Sequence, residues 1–312
     1  MMKFAGPTWP VVAVAAFLMT ATVTAQDRIL FVRGADRSGG FLEAGNDAER
    51  TEQLADIFNA STSGGNHGWS QLRLALEGEG YLVEQITETA ENDSGPSQGL
   101  PVPFESMELS DYSVIVLGSN NAVYDEDSVD AIETYILQGG GVLFISDANF
   151  GGDWSDAPSS DQQFLDRFDL VMNQDQGTYV LRRSKDDFLQ SDHPILIGID
   201  AFDGEGVSPI DAKAAGQVVV RALGNTRVNA PPFGNNKQGQ SRPVMLSDGA
   251  LVLLSPAAGR LAGHFDRNTF FNSGGAGTDI TRFDNRQYAL NLFNWLANRD
   301  VRFQDRFEEQ EG

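Results

Sequence analysis

The sequence contains no cysteine. That absence excludes disulfides, thiolate metal sites and any thiol nucleophile, so stability has to come from core packing. Histidine is scarce as well: His67, His193 and His264 are the three in 312 residues. Positive charge is short, with 22 Lys and Arg against 44 Asp and Glu and a formal net charge of −22. A surface of that sign repels nucleic acid and anionic lipid, so neither is expected as a partner. Beyond the first 25 residues no run is long and apolar enough to cross a bilayer, and stable membrane insertion is not expected.

Those first 25 residues differ from the rest. Lys3 gives a thin basic start, "VVAVAAFLM" an apolar centre, and "TATVTA" a small-residue exit. The centre is too short to span a membrane, bounded as it is by Pro10 and the threonines of 20–24. The pattern predicts a secretory signal over 1–25, cut after Ala25, and a secreted or periplasmic chain. A single domain is expected over 26–299, followed by a charged tail at 300–312.

Within that domain, short β-branched runs alternate with helical segments. "RILFVR" (28–33), "YLVEQI" (81–86), "YSVIVLG" (112–118) and "GVLFIS" (141–146) read as strands. Between them "GWSQLRLALEGEG" (68–80) and "VDAIETYILQ" (129–138) read as helices stopped by glycine. The rhythm predicts an α/β fold: a flavodoxin-like three-layer sandwich on a mostly parallel sheet. Further on come a helix at 162–171, a short helical turn at 193–199 behind an Asp192 cap, and a strand-rich C-terminal half. That half contains "GQVVVRAL", "RPVMLS", "ALVLLS" and "GRLAGHF", expected to extend the same sheet. "NRQYALNLFNWLAN" (285–298) is an amphipathic helix with Tyr288, Leu292 and Trp295 on one face.

Residues 34–66 make an insertion between the first strand and its helix, far longer than the usual βα loop, with a small helix expected around 47–58. It should cover the carboxyl edge of the sheet, where open α/β sheets bind ligands. Three loops should reach the same edge: "GSNNAVYDED", "SDANFGGDWSD" and "HFDRNTFFNSGGAGTD".

The ordered set "ILFVRG", "HGWSQLRLALEGEGYLVEQI", "LSDYSVIVLGSNN", "IETYILQGGGVLFISDAN", "SDHPILIGID" and "GRLAGHFDRN…NLFNWLAN" resembles the class I glutamine amidotransferase-like superfamily. Within it, the likeness is strongest to trehalose-utilisation (ThuA-like) proteins and to the related domain of gliding-motility and intraflagellar-transport proteins. It spans about residues 28–299. The resemblance implies a functional edge at the strand C-termini and places the superfamily's nucleophile position on Ser146. The amidotransferase cysteine is absent, which removes thiol-dependent glutamine hydrolysis.

Three functional readings stay open on these residues. In the first, Ser146 is a nucleophile, His264 its base and Asp266 the orienting carboxylate, in a hydrolase acting on a sugar derivative or amide. Against it stand Phe144, too large for a nucleophile elbow, and Asp147, whose charge opposes an oxyanion. In the second, a divalent metal is held by two or three of His67, His193 and His264 with Asp147, Asp192 or Asp266. Local packing is the plainer account of His193 and of the "NHGW" stretch, where Asn66 would cap and Trp69 would enter the core. In the third, the edge binds a carbohydrate or similar polar ligand without chemistry, a role the resemblance implies through the gliding and transport relatives. Asn120, Asn121, Asp147, Asn149, Trp154 and His67 are its candidate contacts, with Tyr124 and Asp266 nearby. Ligand recognition is the favoured expectation.

Overall fold

A computed structural model describes residues 27–33, 56–63, 66–90, 99–118, 122–145, 162–172, 178–213, 218–221, 227–229, 248–274 and 277–299. The signal, most of the insertion (34–55), the run "RPVMLS" and the tail 300–312 lie outside the described residues.

Strands β1 (Arg28–Arg33), β2 (Leu82–Thr87), β3 (Val114–Gly118) and β4 (Gly141–Ile145) run parallel in the order β2-β1-β3-β4. All five residues of β3 and of β4 are buried, because a parallel sheet is covered on both faces and its strands read as continuous apolar runs. Alternation then sorts β1: Ile29 and Phe31 enter one core layer, Leu30 and Val32 the other.

The covering helices follow from that geometry. Helix α1 (Ser70–Gly78) presents Leu72, Ala75 and Leu76 to the first layer, while Leu74 points outward and is exposed. Helix α2 (Glu126–Leu137) presents Val129, Ile132, Tyr135 and Ile136 to the second. Its start is set locally: Asp125 accepts a hydrogen bond from Ser128 N at 2.9 Å, and Glu126 and Asp127 sit in the positive first turn. Its end needs glycine twice. Gly139 takes φ +115°, and a Cβ on Gly140 would lie 2.2 Å from the Tyr135 ring. The chain leaves β1 for β2 on one side and returns to β3 on the other, so the helices fall on opposite faces.

In the second half the chain adds β5 (Val171–Met172), β6 (Thr178–Arg182), β7 (Ala201–Glu205), β8 (Ile210–Asp211), β9 (Val218–Arg221), β10 (Arg227–Asn229), β11 (Asp248–Leu254), β12 (Arg260–His264) and helix α3 (Asn285–Leu296). Strand β12 joins β4 in parallel, and antiparallel β11, β8 and β5 continue from it. With β9 beside β11 the sheet has nine described strands, so the expected α/β fold on a mostly parallel sheet is what forms. Strands β6, β7 and β10 make a separate three-stranded antiparallel sheet, which the expectation of one continuous sheet had not provided for. Tyr288, Leu292 and Trp295 of α3 are buried as their spacing predicts.

Several local expectations are corrected. The helix expected at 162–171 is helical at 162–165 and then tightens into a 3-10 turn, Asp166–Phe168. Asp169 adopts φ 56° and releases the chain into β5. Residues 56–58, the end of the small helix expected at 47–58, form a turn. The cap of the turn Pro194–Leu196 is His193, whose Nδ1 accepts from Ile195 N at 3.3 Å, and not Asp192. The start of α1 is satisfied from far along the chain: Asn272 Oδ1 accepts from Gln71 N at 2.8 Å and from Ser70 Oγ at 3.3 Å. Its Nδ2 donates to Asn59 O and Ser61 O. Trp69 is buried, as expected.

Candidate functional site at the carboxyl edge of the sheet

The register of the parallel strands lines up one row of terminal residues: Thr87, Arg33, Gly118, Ile145 and His264. Each is the last residue of its strand, so the row marks the carboxyl edge of the sheet. The point between β1 and β3 is the topological switch, because the chain leaves these two strands in opposite directions.

His264 ends the row, wholly buried, in a cage of aromatic rings. Phe270, Phe265, Tyr288 and Phe202 have centroids 4.9, 5.2, 5.5 and 6.2 Å from the imidazole. Both ring nitrogens are engaged: Nε2 lies 3.1 Å from Thr269 Oγ1 and Nδ1 lies 3.0 Å from Tyr288 OH. Donor accounting sets the tautomer. The Thr269 hydroxyl donates to Asp203 O at 2.8 Å, so it must accept from Nε2–H, which leaves Nδ1 to accept from the Tyr288 hydroxyl. Burial pushes the His264 pKa down to about 3, opposed by a hydrogen bond with the backbone of Asp266, and burial raises that of Tyr288. The imidazole is therefore neutral at ordinary pH.

Asp266 does not do what its spacing from His264 predicted. Its Oδ2 accepts from Glu205 N at 2.8 Å, tying the loop to β7, and its Oδ1 accepts from Asn268 N at 3.0 Å. Strand β12 stops at His264, so the alternation that would aim residues 264 and 266 the same way ends there. Behind this loop, buried Asp203 accepts from Asn285 Nδ2 at 2.8 Å. It also lies 2.8 Å from Arg282 Nε, an ion pair misaligned for a hydrogen bond. Desolvation raises the Asp203 pKa, against the Asn285 bond and Arg282.

Arg33 lies on the same face of β1 as Ile29 and Phe31 and is 6% exposed, with its Nε 3.7 Å from Asp56 Oδ2. On the opposite face, buried Glu88 accepts from Ala122 N at 3.0 Å and from Tyr124 OH at 2.7 Å. Tyr124 stacks on Phe104 with centroids 5.3 Å apart and is buried, so its expected place among the ligand contacts is corrected to a core role.

Ser146, Asp147, Asn149, Trp154, Asn120 and Asn121 lie outside the described residues. For His67 the backbone is described, in a two-residue ladder with Thr62, but not the side chain. His193 packs edge-on against Trp295 at 5.6 Å, and burial and Arg260 lower its pKa. Among the described residues no group of three or more His, Cys, Asp or Glu converges in a way that would hold a metal. Sequence reasoning passed over Arg33, Glu88, Thr269 and Asp203. A signal existed for Arg33, the charged residue that continues the inward period Ile29, Phe31.

No protein-family model matches the sequence, and no curated protein matches it. Solved structures do match. The N-terminal domain of mmIFT52 superposes with a TM-score of 0.51 at 14% identity, over 88% of this chain and 99% of that one. The likeness is one of fold. ThuA-like proteins from Parabacteroides merdae (TM-score 0.43, 13% identity, 87% and 90% of the two chains) and Bacteroides uniformis (0.45, 14%, 89% and 94%) are further structural neighbours.

Proposed function

We propose that this chain is an exported recognition domain that binds a carbohydrate-type ligand at the carboxyl edge of its parallel sheet and does no chemistry on it. The observation that carries this reading is the state of His264. A general base has to reach the proton it abstracts and hold a pKa near the working pH. His264 is inside the core, both nitrogens are occupied by Thr269 and Tyr288, and its pKa is about 3. With Asp266 bonded to two backbone amides, the base and orienting parts of the Ser146 triad are committed to structure. The carboxyl edge of the parallel strands remains, and in open α/β sheets that edge is the ligand side.

The test is a glycan array followed by calorimetry on the full chain and on Asp147→Ala and Trp154→Ala. Binding that both substitutions weaken supports the reading. Covalent labelling of Ser146 by a fluorophosphonate would replace it with the hydrolase. N-terminal sequencing of the exported protein, expected to begin at Gln26, tests the signal.

A further inference from the structure

We infer that the switch point between β1 and β3 carries a donor subsite for a neutral oxygen of the ligand, built from the Trp69 indole N–H; this rests on the carbohydrate reading. Trp69 is 1% exposed, and among the described residues its Nε1–H has no hydrogen-bond acceptor. An unpaired buried donor costs about 1–3 kcal/mol, so a position that retains one calls for an acceptor.

The indole sits over the switch point itself. A Cβ on Gly118, the last residue of β3, would lie 3.2 Å from Trp69 Cη2, so glycine there is what lets the ring come down on the strand end. Arg33 is the register partner of Gly118 and shares the sheet face of Phe31, whose ring meets Trp69 edge-on at 6.1 Å. The indole and Arg33 thus lie on the same face of the sheet, at the end where ligands of this topology lie. Phe270 also meets Trp69 edge-on, 5.7 Å away.

Charge selects the class of acceptor. Asp56 lies 3.7 Å from Arg33 Nε and offsets its charge, and the whole chain carries −22. A carboxylated or sulfated ligand would meet a repulsive field with no net cation to receive it. A hydroxyl, ring or carbonyl oxygen of a neutral sugar satisfies the indole N–H without that repulsion.

The experiment titrates the full chain, labelled at its tryptophan indoles, with neutral oligosaccharides (maltose, cellobiose and chitobiose series) and with glucuronate and galacturonate oligomers. The Trp69 N–H signal is identified by its loss in Trp69→Phe. The expected result is that a neutral series binds, shifts that signal, and loses about tenfold in affinity in Trp69→Phe, the worth of one hydrogen bond. Glycan binding that leaves the Trp69 signal and the Trp69→Phe affinity unchanged overturns the subsite and leaves the carbohydrate reading standing. Uronates binding at least as tightly overturns the neutral class. If no glycan binds, the carbohydrate reading falls. The subsite, which rests on that reading, falls with it.

Discussion

Acidification should destabilise this fold through His264 by an amount the buried network sets. An unfolded chain protonates its histidines near 6.5, whereas His264 in the fold resists until about 3. Between those values the unfolded state binds one more proton, so stability is full above pH 6.5 and falls as pH drops toward 3. The slope is about 1.4 kcal/mol per pH unit, so moving from pH 7 to pH 5 costs about 2 kcal/mol at this residue. His193, also lowered by burial, contributes in the same direction. Asp203 and Asp187, whose carboxyls burial raises, contribute stability that fades as pH rises. Urea unfolding of the wild type and of His264→Gln, at pH 7 and pH 5, isolates the one term because the other groups cancel in the double difference. The wild type should lose about 2 kcal/mol more than the variant over that interval. Equal losses, or an NMR titration of His264 centred near 6.5, would refute the account of a sealed neutral imidazole.

Other outcomes follow from the same contacts. Tyr288→Phe leaves His264 Nδ1 buried without its donor and should cost about 1–3 kcal/mol in urea unfolding at pH 7, with the helix content of α3 unchanged by circular dichroism. Asn272→Ala removes the four bonds that join the start of α1 to residues 59–61, and a loss of about 2–4 kcal/mol is expected by thermal or urea unfolding. Arg167→Ala breaks ion pairs with Glu126 and Asp130 on an exposed helix face and should change stability by about 0–1 kcal/mol, less in high salt.

The parallel half of the fold was legible because β3 and β4 are apolar throughout and α2 carries its own stop, at Gly139 and Gly140. What escaped was non-local. The cap of α1 is Asn272, some 200 residues away in sequence, and local pattern pointed to Asn66. The turn Pro194–Leu196 is capped by His193, where the familiar choice was Asp192. The edge itself was read correctly as the meeting place of β1, β3, β4 and β12. Its chemistry was misread at Asp266, because i and i+2 share a side only while the strand continues. Tyr288 was assigned to the core by its spacing, and that it also holds His264 becomes visible only when β12 and α3 are brought together.

Recognition without turnover is the central claim, and one NMR titration tests it most directly: a neutral oligosaccharide added to the full chain, with the signals of both followed for a day. The account predicts that the Trp69 indole N–H shifts while the sugar's anomeric signals keep their identity and total intensity. New anomeric signals growing with time, or no change in the protein at any concentration, would contradict it.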